Sequence, residues 1–112
     1  MRILIAGSRE YENLNSVREW MKAHLSVIDT LICGDARGVD AIAYDYALKL
    51  FVPSVMYTAH WELHGNSAGY IRNELMVNDA DKVVVFWDGK SKGSKHTIDL
   101  ALKHKKDLEV IF

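Results

Sequence analysis

Three segments of this chain share one arrangement: an apolar run, a turn rich in glycine and small polar or cationic residues, then a stretch with helical spacing. Ile3–Ala6 leads into Gly7-Ser8-Arg9. Thr30–Cys33 leads into Gly34-Asp35-Ala36-Arg37-Gly38-Val39-Asp40, and Val83–Trp87 into Asp88-Gly89-Lys90-Ser91-Lys92-Gly93-Ser94. A strand, a tight turn and a helix N-terminus present free backbone N–H groups and the positive end of a helix dipole, which together hold an anion. Gly34 and Gly38 allow close backbone approach. Arg37 offers a two-pronged donor for a phosphate or carboxylate. Asp40, in the first turn of a helix, either complements the helix dipole or accepts from a sugar hydroxyl. The third turn adds hydroxyls, two ammonium groups and open N–H groups. The chemistry these residues suggest is binding of a phosphorylated molecule.

Stricter motifs are absent. Gly7-Ser8-Arg9 carries one glycine, where the dinucleotide fingerprint needs three, and no glycine precedes Gly89-Lys90-Ser91 at the spacing of a Walker loop. Gly89-Lys90-Ser91-Lys92-Gly93 has the form of a hydrolase nucleophile elbow. However, only Asp99 and His104 follow it, both on the next helix and poorly placed to complete a triad. His60-Trp61-Glu62-Leu63-His64 is not a zinc motif and has no fourth ligand nearby, so no metal is expected. Trp61 is read as packing on the sheet end or stacking on a ring. Leu75 and Met76 read as core, and Arg72 and Asn73 fall near the start of their helix, toward the same end as the glycine-rich turns.

To bring such turns together, the strands must lie parallel. The apolar runs predict strands at 2–7, 29–33, 54–58, 82–87 and 108–112, alternating with four helices. Leu14, Val17, Met21, Leu25 and Ile28 mark the first helix, with Ser16 and Glu19 as a capping box. Val39 to Leu50 forms the second, which Pro53 is read as ending. Residues 59–66 read as a loop, and the last two helices run over about 67–79 and 94–105. Strict alternation implies right-handed crossovers and one Rossmann-like α/β domain over 1–112, a three-layer arrangement of about five parallel strands with helices on both faces. The order 3-2-1-4-5 would put the Gly7 and Asp88–Ser94 turns across a crevice at the switch point.

With 112 residues the chain can bury one core. A net charge of −1, from 14 basic and 15 acidic residues, argues against extended nucleic-acid contact. The one cysteine, Cys33, reads as a buried thiol. No apolar run approaches a membrane span, so no membrane partner is expected and the cytoplasm is the simplest location.

Taken together the turns resemble the SLOG superfamily of Rossmann-like domains related to DprA and LOG, and its short, stand-alone YspA-like branch in particular. The likeness covers nearly the whole chain. It rests on Ala6 to Arg9, Gly34 to Asp40, Trp61 with Gly65, Ala68 to Asn73, and Phe86-Trp87-Asp88-Gly89 through Ser91 to Thr97. It implies a nucleotide-derived ligand of NAD or ADP-ribose type, needing no other cofactor, in a sensor or sequestering module of nucleotide signalling or of bacterial and phage conflict. The residues it implies as ligand-binding are Gly7, Ser8, Arg9, Gly34, Asp35, Arg37, Gly38, Asp40, Trp61, Arg72, Asn73, Trp87, Asp88, Gly89, Ser91, Lys92, Gly93, Ser94 and Thr97. LOG proteins hydrolyse nucleoside monophosphates with an arginine and a glutamate. Arg72 to Met76 fits the arginine motif with Asn73 in place of lysine, but Thr97 stands where the glutamate would be. An N-glycosidic hydrolase, with Arg72 on the phosphate and Asp88 or Asp40 near the sugar, is therefore the alternative. A single-strand nucleic-acid module, by analogy with DprA, is a second. Apolar helix faces on so small a sheet also suggest a homodimer.

Overall fold

Val83, Val84, Val85 and Phe86 are fully buried in sequence, with no polar alternation, because their strand is covered on both faces. The computed structural model, which describes residues 1–112, contains five strands: β1 (Arg2–Gly7), β2 (Thr30–Gly34), β3 (Ser54–Tyr57), β4 (Lys82–Phe86) and β5 (Asp107–Ile111). They form one sheet in the order β3-β2-β1-β4-β5. Every pairing is parallel, and β1 lies at the centre with Leu4 opposite both Ile32 and Val83. The expected order and switch point are those observed.

Successive residues of each strand point to opposite faces, so the core divides in two. On one side Ile3, Ile5, Leu31, Cys33, Val84 and Phe86 meet α1 (Asn15–Ala23) and α2 (Val39–Lys49) through Val17, Trp20, Met21, Ala43 and Ala47. On the other, Leu4, Ala6, Ile32, Val83 and Val85 meet α4 (Ala68–Asp79) and α5 (Lys92–Lys103) through Met76, Val77, Leu100 and Ala101. No helix is long and apolar enough to cross a membrane.

Local chemistry differs from the sequence reading in five places. α1 has no capping box: Leu14 occupies the cap position with no side-chain bond, and the Ser16 hydroxyl instead donates to the Asn13 carbonyl at 2.8 Å. α1 also stops at Ala23, and Leu25–Val27 is a separate 3₁₀ turn. Pro53 does not end α2. The chain leaves the helix at Phe51, which adopts a left-handed φ of 57°, and the Val52 N–H returns to the Ala47 carbonyl at 2.9 Å, a helix stop made by backbone bonds. The loop expected at 59–66 contains a short helix, α3 (Trp61–His64), and a 3₁₀ turn, Gly65–Ser67. Finally, α5 begins at Lys92, two residues early, because the Ser91 hydroxyl accepts the Ser94 N–H as an N-cap.

Candidate functional site

The carboxyl ends of β1 and β4 open into a crevice of about 450 Å³. Its walls come from the turn after β1 (Gly7, Arg9, Glu10), the start of α2 (Ala36, Asp40), α4 (Arg72, Asn73, Met76) and the β4–α5 turn (Asp88, Lys90, Ser91, Gly93, Ser94, Thr97). A second hollow of about 220 Å³ adjoins it, bounded by Trp61, Asn66, Gly69 and Tyr70 and sharing Arg9, Arg72, Asn73 and Gly93 with the first.

The β1 and β4 turns are tied beneath the crevice. Ser8 is buried, donates its N–H to the Phe86 carbonyl at 3.0 Å, and accepts the Asp88 N–H on its hydroxyl at 3.1 Å. Its hydroxyl also lies 3.4 Å from that of Ser94. Both hydroxyls are thus engaged inside the fold. The Asp88 carboxylate accepts the N–H groups of Lys90 and Ser91 at 2.8 and 2.9 Å, and those bonds hold its carboxyl below the usual carboxylate range. Asp88 therefore shapes the turn through one carboxylate oxygen while also lining the crevice. The Thr97 hydroxyl donates to the Gly93 carbonyl at 3.3 Å, turned onto its own helix.

The end of β2 is built around Asp40. This carboxylate is 5% exposed and accepts the Ala36 N–H at 3.2 Å. Burial pushes its carboxyl up to about 6, against the opposing effects of that hydrogen bond and the neighbouring Arg72. A Cβ on Gly34 would lie 2.7 Å from Asp40 Oδ2 and 3.4 Å from the Arg72 guanidinium carbon, so only glycine lets both groups close over the strand end. Gly38 is constrained twice: its φ is +78°, and a Cβ would stand 2.6 Å from the Arg9 carbonyl. Arg72 pairs with Asp35, while its Nε is buried with no hydrogen-bond partner. A carboxylate kept inside at a cost, beside a guanidinium and at the wall of a cleft, makes the crevice the candidate functional site.

The helices α4 and α5 are latched together at Asn73. Its amide nitrogen lies 3.4 Å from the Gly93 carbonyl and 3.3 Å from His96 Nδ1. His96 packs edge-on to Tyr70 with ring centroids 4.5 Å apart, and burial lowers its pKa. Where the LOG motif carries lysine, this chain has an amide that ties two helices.

Of the residues anticipated from sequence, Gly7, Arg9, Asp40, Arg72, Asn73, Asp88, Ser91, Gly93, Ser94 and Thr97 line the crevice, and Trp61 lines the second hollow. Gly34, Asp35 and Gly38 support its walls from behind. Arg37 does not line it; it is exposed and paired with the wall residue Glu10. Trp87 is turned aside: its Nε1–H donates to the Ser91 carbonyl at 3.0 Å and its ring faces Phe112. Gly69 and Tyr70 entered the sequence reading only as part of the Ala68 to Asn73 segment, and Asn66 did not enter it. Gly69, Tyr70 and Asn73 share one face of α4, and Asn66 sits in the 3₁₀ turn just before it.

Comparison with known proteins fixes the family. The model of the YspA, cpYpsA-related SLOG family (YAcAr) matches residues 1–64. The Gene 61 protein of Mycobacterium phage D29 is 34% identical over 111 residues, covering 91% of this chain and 89% of that protein. The chain belongs to the YAcAr family. Among solved structures, DNA processing protein A from Helicobacter pylori, a structure described by its single-stranded DNA binding mode, superposes on this YAcAr chain with a TM-score of 0.80. Sequence identity there is 21%, and the match covers 98% of this chain and 64% of that one, so the YAcAr chain spans a little under two thirds of the solved relative. The likeness extends to the Rossmann-like fold.

That neighbour overturns the order in which the sequence ranked partners. A small nucleotide sensor stood first and nucleic acid was argued against from net charge; the solved protein that shares this architecture is a single-stranded-DNA binder. Both readings are withdrawn. The physical reason for the error is that net charge sums over the whole surface, whereas binding reads charge locally. At the crevice Arg9 and Lys90 have no acidic partner. The three carboxylates that share its wall are engaged: Glu10 with Arg37, Asp40 with the Ala36 N–H, and Asp88 with the N–H groups of Lys90 and Ser91.

Proposed function

We infer that this YAcAr domain binds single-stranded nucleic acid across the carboxyl ends of β1 and β4, with the sugar-phosphate backbone in the crevice. The observation that carries this reading is the pair of cations without an acidic partner, Arg9 and Lys90, in a cleft that also exposes the first turn of α5 at Gly93 and Ser94. Phosphates are held by such cations and by free N–H groups at helix starts. Trp61 and Tyr70, 53% and 50% exposed beside that cleft, give unpaired bases a surface to stack on, which a duplex with its bases already stacked does not need. The fold shared with a single-stranded-DNA-binding protein supports the same reading. The near-neutral total charge implies a short footprint of few phosphates.

The test is fluorescence anisotropy with a labelled oligothymidylate across a salt series. Binding at low salt should weaken with a log–log slope of about −1.4 for two neutralised phosphates on a single strand. Duplex of the same length should compete poorly. Absence of binding at low salt, or equal competition by duplex, would overturn the reading.

A further inference from the structure

The hollow beside the crevice differs from it in being walled by aromatic rings. Two of its walls are aromatic: the Trp61 indole lies over the backbone of Gly69, where a Cβ would meet it at 3.5 Å, and the Tyr70 ring is braced edge-on by His96. Both rings remain about half exposed although each belongs to an ordered helical segment. Leaving two large aromatic surfaces in water beside a cleft is unfavourable unless something covers them. At about 220 Å³, the space is smaller than pockets that enclose whole drug-sized ligands, and it suits a single ring system. It opens onto the crevice past Gly93, where an added Cβ would meet nothing within 4 Å. Arg9 and Arg72 border both spaces, so a phosphate in one lies next to a ring in the other.

We propose that this hollow is a base pocket: one unstacked nucleobase of the bound strand enters between Trp61 and Tyr70 while its phosphate stays in the crevice. The proposal rests on the single-strand reading above and adds a division of labour within it. The crevice supplies binding that is blind to bases and sensitive to salt. The hollow supplies stacking, which is insensitive to salt and demands that a base leave its neighbours.

The experiment compares two labelled strands of equal length and charge, an oligothymidylate and a strand of tetrahydrofuran abasic units, bound to the wild-type chain and to Trp61→Ala and Tyr70→Ala. The wild type should bind the abasic strand roughly ten- to a hundredfold more weakly than the oligothymidylate. Each variant should lose affinity for the oligothymidylate and keep that for the abasic strand. Wild-type binding of both strands alike would leave the single-strand reading standing and overturn the base pocket. So would variants that lose both strands equally, or neither. Binding of neither strand by the wild type would overturn the reading beneath it. Gly93→Leu is a check that does not touch the aromatic rings. It places a side chain in open space at the junction and replaces glycine with a better helix former, so the melting temperature should hold or rise. Its preference for the base-bearing strand should fall, and an unchanged preference would overturn the proposal.

Discussion

The Ser8 hydroxyl at the end of β1 accepts the Asp88 N–H at 3.1 Å, joining the two turns on either side of the switch point. The Asp88 carboxylate then folds the β4–α5 turn onto itself through Lys90 and Ser91. The crevice edge is thus held by bonds between its own turns. Ser8→Ala should leave a partly buried N–H without its acceptor and cost about 1–3 kcal/mol in urea denaturation. A cost near zero would mean that water replaces the hydroxyl.

Asp40 makes stability depend on pH in an unusual sense. Its folded pKa of about 6 lies above the unfolded value of 3.8. The folded state therefore holds the proton more tightly, and the contribution of this group is most favourable below pH 4 and is lost as pH rises through 6. The difference corresponds to about 3 kcal/mol of destabilisation at neutral pH. Asp40→Asn, whose side-chain carbonyl still accepts the Ala36 N–H, should raise the unfolding free energy at pH 7.5 by up to that amount. The gain should shrink to nothing near pH 4. A gain that does not vary with pH would place the carboxylate's cost elsewhere.

The same titration should act on binding. Protonation of Asp40 removes one negative charge from the crevice wall beside Arg72, so oligothymidylate affinity should rise as pH falls from 7 to 5. In Asp40→Asn that rise should be largely lost, as read by anisotropy at fixed ionic strength. An identical pH profile in both proteins would sink this assignment.

Arg9 and Arg37 stand on neighbouring turns, and only Arg9 lines the crevice. Arg9→Ala should weaken oligothymidylate binding by about 1.5–3 kcal/mol, the range for a hydrogen bond to a charged group. Arg37→Ala, which removes an exposed ion pair with Glu10, should change it little. Equal losses would move the strand's path out over the β2 turn.

Gly38→Ala should destabilise by more than about 1 kcal/mol, because alanine would adopt a φ of +78° and press on the Arg9 carbonyl. The guanidinium of Arg9 projects from the backbone that would shift. Binding should therefore fall together with thermal stability, and a stable variant that binds normally would contradict this coupling.

The strands were legible because their apolar runs are short, β-branched and bounded by glycine or polar turns, and their alternation with helices dictated a parallel order. The stop of α2 was misplaced because Pro53 is a conspicuous residue, while the left-handed turn at Phe51 is a backbone event that no side chain advertises. The crevice could be located, since turns after parallel strands gather at one edge. The duties of its residues could not. Ser8, Asp88 and Thr97 each carry groups suited to a ligand, yet the fold uses them internally, and only the three-dimensional partners reveal that. Charge was misleading for the related reason that pairing between residues distant in sequence decides which cations remain free.

β1 pairs on one side with residues 30–32 and on the other with residues 82–86. The first strand to emerge in synthesis therefore waits for a neighbour some eighty residues later, and a chain stopped near residue 64 would expose half of that strand's edge. Such long-range closure makes assembly slow and leaves the intermediate open to aggregation. The crevice, whose walls come from residues 6–10, 36–40, 72–76 and 88–97, cannot exist before those distant segments have met.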